Sequence, residues 1–417
     1  MINVPEKTKL LVYSPKGDSS STYWQDVSPP IMAGASLPLS TQAEHVGVLR
    51  STEGSNLPSI ISRISGHTKS LYAVIACGMA RNHRGNPAAS IRVESCYSAP
   101  KLFSGLACLL LSPSEIEVLS VHRRKTLQQL QCLHTKTPAP AIHFLSGSLP
   151  APALLHLHQF TLLHMIAKLG PNSILFQHAI HILHHSIQNS WFSALRNLTS
   201  QYALPDPILT LVSPPLKSRY KSMVKSAVTG FWHAFLVSKA SSLPSLRYLR
   251  PAYLPLGQGP HPLWWSCLSS PTAVRAATVQ AKMLSGRYRS CWLRRHWTDE
   301  TGACRLNNCG NIPGDIAHII SGECPALQPV LAQTLSNICD ILAPHPLLLP
   351  PVTAALQSDS ETFTTFILDP STDKDVIRLV QLQGPEVLLP LFRASRAWIW
   401  AAHRTRMRLL GLERFIL

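Results

Sequence analysis

The residues best suited to chemistry are three cysteines and one histidine within twenty-one positions, in the pattern Cys304-x4-Cys309-x8-His318-x5-Cys324. Three thiolates and one imidazole complete the tetrahedral shell that zinc prefers. A shell filled by protein ligands leaves no open position for a substrate, which indicates a structural site. The spacing is looser than the C-x2-C pairs of common zinc ribbons. The sequence therefore predicts a structural zinc site, with four unrelated core residues as the alternative.

A second constellation interleaves basic and aromatic residues between Pro207 and Thr298, an interval with thirteen Lys or Arg and no acidic residue. Cations neutralise phosphates, and aromatic faces stack on unpaired bases. The predicted nucleic-acid-binding residues are Lys217, Arg219, Lys221, Lys225, Lys282, Arg287, Arg289, Trp292, Arg294, Arg295 and Trp297. Tyr220, Tyr248 and Tyr288 lie among them. Compositional drift toward basic residues, with the aromatics in the core, is the alternative.

The whole chain has the same bias, with 38 Lys and Arg against 21 Asp and Glu in 417 residues, a net charge of +17. Such a balance favours RNA or DNA as a partner. The amino terminus carries charges where a secretory signal would be apolar. Two uncharged stretches, 137–167 and 169–195, contain Pro or many His, which favours core helices over membrane spans. The sequence thus predicts an intracellular protein, nuclear or cytoplasmic, with no membrane partner and with metal rather than disulfides on its cysteines.

The elements that must position these groups are mostly helices. Extended runs at 9–15 and 45–50 predict two strands without partners. Ser114 and Glu117 form a potential capping box for a helix ending near His134. Further helices are expected at 154–168, 174–198 and 386–410, the last with Arg393, Arg396, Arg404 and Arg408 on one face. We expect a mainly α protein with a small β portion at the amino terminus.

Motifs for catalysis are missing from the sequence. It contains no phosphate-binding glycine loop, no nucleophile elbow and no two adjacent Asp residues. Polymerases that use two magnesium ions need a close carboxylate cluster. The chain as given is therefore not expected to be an enzyme, and no nucleophile–base pair supports an enzyme of another class.

Several segments resemble the carboxy-terminal part of non-LTR retrotransposon reverse transcriptases. VPEKTKLLVYSP (4–15) is similar to the strand after the catalytic hairpin, and AEHVGVLR (43–50) to the primer-grip region. MLSGRYRSCWLRRHW (283–297), the Cys/His segment 304–327 and RAWIWAAHRTRMRLLGL (396–412) look like the regions that follow. GMARNHRGNPAASIRVESCY (78–97) looks like part of the thumb.

The resemblance implies a role for each segment. Val46, Gly47 and Val48 would occupy the primer-grip position, and the Cys/His residues would be ligands in a segment that binds template RNA or target DNA. The expected segments are a palm remnant (1–56), a helical thumb-like domain (57–205), a basic helical region (206–298), a zinc module (299–330) and a carboxy-terminal helical region (331–417).

The fingers, most of the palm and the Asp-Asp hairpin are missing, so polymerase activity does not carry over. A transposon-derived fragment without cellular activity, or a truncated version of a full-length reverse transcriptase, are the alternatives to a nucleic-acid-binding protein.

Overall fold

The computed structural model describes residues 31–32, 35–36, 40–45, 48–51, 54–76, 85–267, 270–288, 304, 306, 309 and 315–412. Within these ranges the chain is mostly helical, as the sequence predicts, with two short antiparallel hairpins near the amino terminus. The predicted strand at 9–15 lies outside the described residues.

Two compact units divide the chain. Unit 1 contains 1–71, 96–122 and 151–228, and unit 2 contains 72–95, 123–150 and 229–417. The five segments expected from the sequence stay a prediction.

Eighteen α-helices lie within the described residues. They are α1 Leu57–Val74, α2 Pro87–Val93, α3 Ala99–Phe103, α4 Pro113–Leu130, α5 Ala139–Ser146, α6 Ala151–Leu169, α7 Ile174–His184, α8 Trp191–Gln201, α9 Pro207–Val212, α10 Lys217–Ser241, α11 Pro262–Trp265, α12 Pro271–Leu284, α13 Ile316–Ile320, α14 Gln328–Leu342, α15 Leu349–Leu356, α16 Ser360–Leu368, α17 Lys374–Gln383 and α18 Leu388–Leu409. None of the helices among the described residues combines the length and apolar character needed to cross a membrane.

The hairpins correct one strand prediction. β1 Ile31–Met32 pairs with β2 Ala35–Ser36, and β3 Gln42–His45 pairs with β4 Val48–Ser51. The run 45–50, expected as one unpartnered strand, instead contributes to two strands, because His45 pairs with Val48 in the hairpin register. Val48 is buried in a cluster with Ile60 and Leu102. The hairpin is therefore anchored by its second strand.

The start of α4 differs from the expected capping box by two residues. Ser112 Oγ accepts from the Glu115 amide at 3.3 Å, and Glu115 Oε2 accepts from the Ser112 amide at 2.8 Å. This reciprocal pair satisfies two amides that the helix leaves unbonded. Ser114 and Glu117 have the same spacing but lie inside the helix, so the predicted box is wrong.

The helix expected at 174–198 is two helices. Ser186 and Asn189 take φ values of 50° and 55°, in the left-handed region that interrupts an α-helix. Ser190 then starts α8 by accepting from the Ser193 amide at 3.1 Å. The apolar pattern continues across the break because α7 and α8 pack against each other.

Unit 2 is built around α18, which packs against α12, α14 and α16. Its predicted basic face is only partly correct. Arg393, Arg404 and Arg408 are exposed, but Arg396 is buried and donates to the Ser266 carbonyl at 2.7 Å. An arginine at the edge of the apolar stripe can turn inward when a buried oxygen accepts its hydrogen bonds.

Candidate metal centre

Helix α13 presents His318 to the interior of unit 2. Asp315 caps the helix, since its Oδ1 accepts from the His318 amide at 2.9 Å. The other carboxylate oxygen accepts from Arg247 Nη2 at 2.8 Å. At the opposite end, the Trp398 indole donates to the Ile320 carbonyl at 2.8 Å. Both ends of this five-residue helix are therefore fixed, and with them the backbone that carries His318.

The three sulfurs reach the same point from two sides. Cys304, Cys309 and Cys324 are all buried, and Cys309 Sγ lies 3.4 Å from Cys324 Sγ. The Cys309 amide donates to the Leu306 carbonyl in a turn, and the Leu327 amide donates to the Cys324 carbonyl. Together with His318, the four ligand atoms lie within 4.8 Å of one another. The convergence predicted from the sequence is therefore present, and the cluster could hold a metal ion.

The donor atoms fit a metal better than they fit one another. His318 is only 1% exposed, yet neither ring nitrogen is hydrogen-bonded to an oxygen or nitrogen atom of the described residues. Leaving such a buried polar atom unsatisfied costs about 1–3 kcal/mol. Zinc–sulfur bonds of about 2.3 Å in a tetrahedron place sulfurs roughly 3.8 Å apart, and the Cys309 and Cys324 sulfurs are 3.4 Å apart. A coordinated ion would satisfy the imidazole and relieve the contact between the thiols.

Arg406 is the functional residue that sequence reasoning missed. Its side chain is completely buried, and Nη1 donates to Cys304 Sγ at 3.3 Å. A divalent ion on three thiolates would carry a net charge of −1, which the guanidinium would balance. The only signal in the sequence is a cation at a position of α18 where the helical period expects an apolar residue.

Contacts within the cluster shift the pKa values of its three thiols in different directions. A hydrogen bond from Cys324 lowers the pKa of Cys304, and Arg406 adds to the effect. The same hydrogen bond raises the pKa of Cys324, while burial raises that of Cys309. Metal binding requires thiolates, so a cation at this position would displace the remaining thiol protons. The cluster could therefore hold a metal ion.

No protein-family model, curated protein or solved structure matches the chain.

The other predicted site residues have different environments. The side chains of Lys217, Arg219, Lys221 and Lys225 are exposed on the first turns of α10, whereas Lys282 and Arg287 are half-buried. Burial lowers the pKa of Lys282. Arg289, Trp292, Arg294, Arg295 and Trp297, together with Val46 and Gly47, lie outside the described residues.

The tyrosines of the basic interval belong to the core. Tyr220, Tyr248 and Tyr288 are each no more than 4% exposed. Tyr288 forms a 2.9 Å hydrogen bond with His403, and Tyr248 accepts from Arg247 at 2.7 Å. The burial of these three rings fits the alternative, that the tyrosines belong to the core, and their part in stacking on nucleic acid stays a prediction. Val48, expected in a primer grip, is likewise a core side chain.

Proposed function

We propose that this chain is a nucleic-acid-binding protein, with a structural zinc ion on Cys304, Cys309, His318 and Cys324, derived from the carboxy-terminal part of a non-LTR reverse transcriptase. The observation that carries the binding proposal is the row of exposed lysines on α10. Lys217, Lys221 and Lys225 follow one another at intervals of four residues, so they lie along one side of the helix.

Acidic side chains of the described residues do not neutralise this row. Among the described residues, no hydrogen bond or ion pair involves the three ammonium groups. Asp206, the single acidic residue between Val118 and Thr298, pairs with Arg196 at 2.9 Å and also caps α9. A helix carrying unpaired cations on successive turns suits a backbone of evenly spaced phosphates.

Zinc is the ion we propose for the cluster because the donor set contains sulfur and imidazole but no carboxylate, which disfavours magnesium and calcium. Bound zinc would cross-link the segment around Cys304 and Cys309 to α13 and Cys324. Its role is to stabilise this part of unit 2. We assign no polymerase activity to the chain, because its sequence contains no two adjacent Asp residues, the pair that such polymerases use to hold magnesium ions.

Fluorescence anisotropy with a labelled single-stranded RNA or DNA at four salt concentrations tests the binding. A variant with Lys217→Glu, Lys221→Glu and Lys225→Glu should lower affinity and flatten the log–log salt slope by about 2, at roughly 0.7 per lost phosphate contact. The matched control reverses three exposed lysines elsewhere, Lys69, Lys136 and Lys374, for the same change in net charge. Equal losses in the two triple variants would indicate nonspecific attraction only, and an unchanged slope in the first would refute the proposal.

A further inference from the structure

The groove beside the lysine row has a composition that calls for a particular ligand. It is a cavity of about 230 Å³ in unit 1, bounded by α6 on one side and the first turns of α10 on the other. Leu157 and Phe160 of α6 and Val224 of α10 form apolar walls, and Lys221 and Lys225 stand at the rim. An apolar cavity bordered by two cations suits a ligand with a flat apolar part and anionic groups beside it.

Contacts within the protein fix the walls of the groove, so no ligand is needed to form it. His164 of α6 stacks on the Tyr220 ring of α10, with centroids 4.9 Å apart, and donates from Nε2 to the Pro215 carbonyl at 2.9 Å. The Thr161 hydroxyl donates to the Leu157 carbonyl at 2.8 Å within its own helix. These polar groups are already satisfied, so the walls offer contact surface without a pattern of donors and acceptors that would select one base.

The spacing of the cations distinguishes between ligand classes. Lys221 and Lys225 are one helical turn, about 6 Å, apart along α10, and Lys217 continues the row by another turn. A fatty acid has a single carboxylate and would engage one of them. A nucleic-acid strand has a phosphate on each side of every base, so it can engage both and extend to the third.

We propose that the groove between α6 and α10 receives one unpaired nucleobase of a single strand, while Lys221 and Lys225 bind the phosphates on either side of it. The proposal rests on the nucleic-acid-binding function proposed above and identifies its ligand as unpaired rather than duplex nucleic acid. Base identity is not read, because the walls are apolar.

Filling the groove should abolish recognition of the base while leaving the phosphate contacts in place. Thr161 is half-buried at the groove wall, so Thr161→Trp fills the space and Thr161→Val leaves it open. The probes are a twelve-residue oligothymidylate and a strand of equal length in which every base is replaced by an abasic spacer. Both carry the same number of phosphates, so their difference in affinity measures the bases alone.

The wild-type protein and Thr161→Val should bind the thymidylate strand about tenfold more tightly than the abasic strand, the effect of a single base contact. Thr161→Trp should bind the two strands equally, with an unchanged salt slope. Circular dichroism establishes that each variant is folded. A preference for bases that persists in a folded Thr161→Trp would overturn the inference.

Two further outcomes separate this inference from the function on which it rests. Salt-dependent binding of both strands with equal affinity by the wild type would refute the base site but support the proposed function. Absence of salt-dependent binding to either strand would refute both. Photo-crosslinking of wild-type protein to a 4-thiothymidine strand needs no variant, and should label peptides containing 157–161 or 220–225. Labelling of other peptides only would also overturn the inference. So would a fluorescent fatty acid that binds in the groove and that neither strand displaces.

Discussion

The metal centre in unit 2 and the lysine groove in unit 1 hold their polar groups in opposite ways. At the metal centre the ligands are buried and converge on one point, and Arg406 contacts one of them, Cys304. Along the groove the lysines are exposed and separated, and the polar wall groups are already hydrogen-bonded. Buried ligand atoms without hydrogen-bond partners lower the stability of the fold until an ion binds them. Exposed lysines lower it little and remain available to bind a polyanion.

The difference implies that one region contributes to the folded state and the other to recognition. Changes at the metal centre should therefore alter stability with little direct effect on the groove. Changes at the groove rim should alter binding while the free energy of unfolding stays nearly constant.

The largest effect is expected from loss of the metal. Cys324→Ser removes a buried ligand, and structural zinc contributes on the order of 10 kcal/mol of apparent binding energy at neutral pH. We expect close to one equivalent of zinc in the purified wild type, and loss of zinc with local unfolding around α13 in the variant. Elemental analysis and hydrogen exchange measure the two.

Cys339→Ser is the control, since that cysteine is exposed and lies outside the cluster. A zinc-free wild type that shows full protection of α13 would contradict a structural ion.

Acid should destabilise both units through buried neutral histidines. Burial lowers the pKa of His143, His156 and His403 to about 4. In the unfolded chain these histidines titrate near 6.5, so between about pH 6.5 and 4 the unfolded state binds more protons and stability falls as the pH falls. Above that window all three are neutral in both states and contribute no pH dependence.

Denaturant unfolding of metal-free protein at pH 7, 5.5 and 4.5 should show a loss of several kcal/mol. Two of the three histidines belong to unit 2 and one to unit 1, so the loss should be greater in unit 2. His403→Gln should reduce the slope of the unfolding free energy against pH by an amount that corresponds to about one bound proton. An unchanged slope would mean that His403 titrates normally.

Changes in the lysine row should affect binding strongly and stability weakly, the opposite of what we expect at the metal centre. Reversing Lys217, Lys221 and Lys225 together should alter unfolding by only about 0.5 kcal/mol per site, because exposed positions without partners contribute little. Chemical denaturation checks this against the large change in salt-dependent binding expected above. A loss of several kcal/mol would show that these lysines support the fold.

The sequence anticipated these two regions unequally. Ligand spacing alone located Cys304, Cys309, His318 and Cys324, because a closed metal shell requires particular residue types in a short segment. Arg406 lies 82 residues beyond Cys324, and nothing local links its position to the cluster. The groove depends on how α6 packs against α10, which no local pattern encodes.

Local sequence patterns also gave wrong predictions where one pattern fits two different structures. Ser112–Glu115 and Ser114–Glu117 have identical spacing, and the choice between them depends on where the helix begins. Glu115 also accepts from the Asn56 amide at 2.9 Å, a contact from a distant part of the chain. The sequence predicted one helix in place of α7 and α8, because the helical spacing of apolar residues continues through the turn between them.

Arg406 should tune the metal centre by a smaller amount than the ligands. Arg406→Leu removes the cation from Cys304 Sγ while preserving an apolar filling, and Arg406→Lys retains the charge but not the planar group. Loss of a partner to a metal ligand typically lowers metal affinity by about 10- to 100-fold. Competition with a chromogenic chelator measures the zinc affinity of both variants, with the lysine variant expected between wild type and leucine. Equal affinity in all three proteins would exclude charge balance as the role of Arg406.

The smallest effect concerns a residue shared by the groove wall and the core. The Tyr220 hydroxyl is hydrogen-bonded to Thr210, and burial raises its pKa, so the phenol stays neutral. Tyr220→Phe keeps the ring that stacks on His164 but removes this bond, which should lower stability by about 1 kcal/mol. Because the wall keeps its shape and the lysines are untouched, affinity for the thymidylate strand should not change.

Thr210→Val removes the same hydrogen bond from the other side and should cost a similar amount, and the double variant should cost little more than either single one. A tenfold loss of strand affinity in Tyr220→Phe would mean that the hydroxyl itself contacts the ligand, and the groove would then resemble the metal centre in using a buried polar atom for binding.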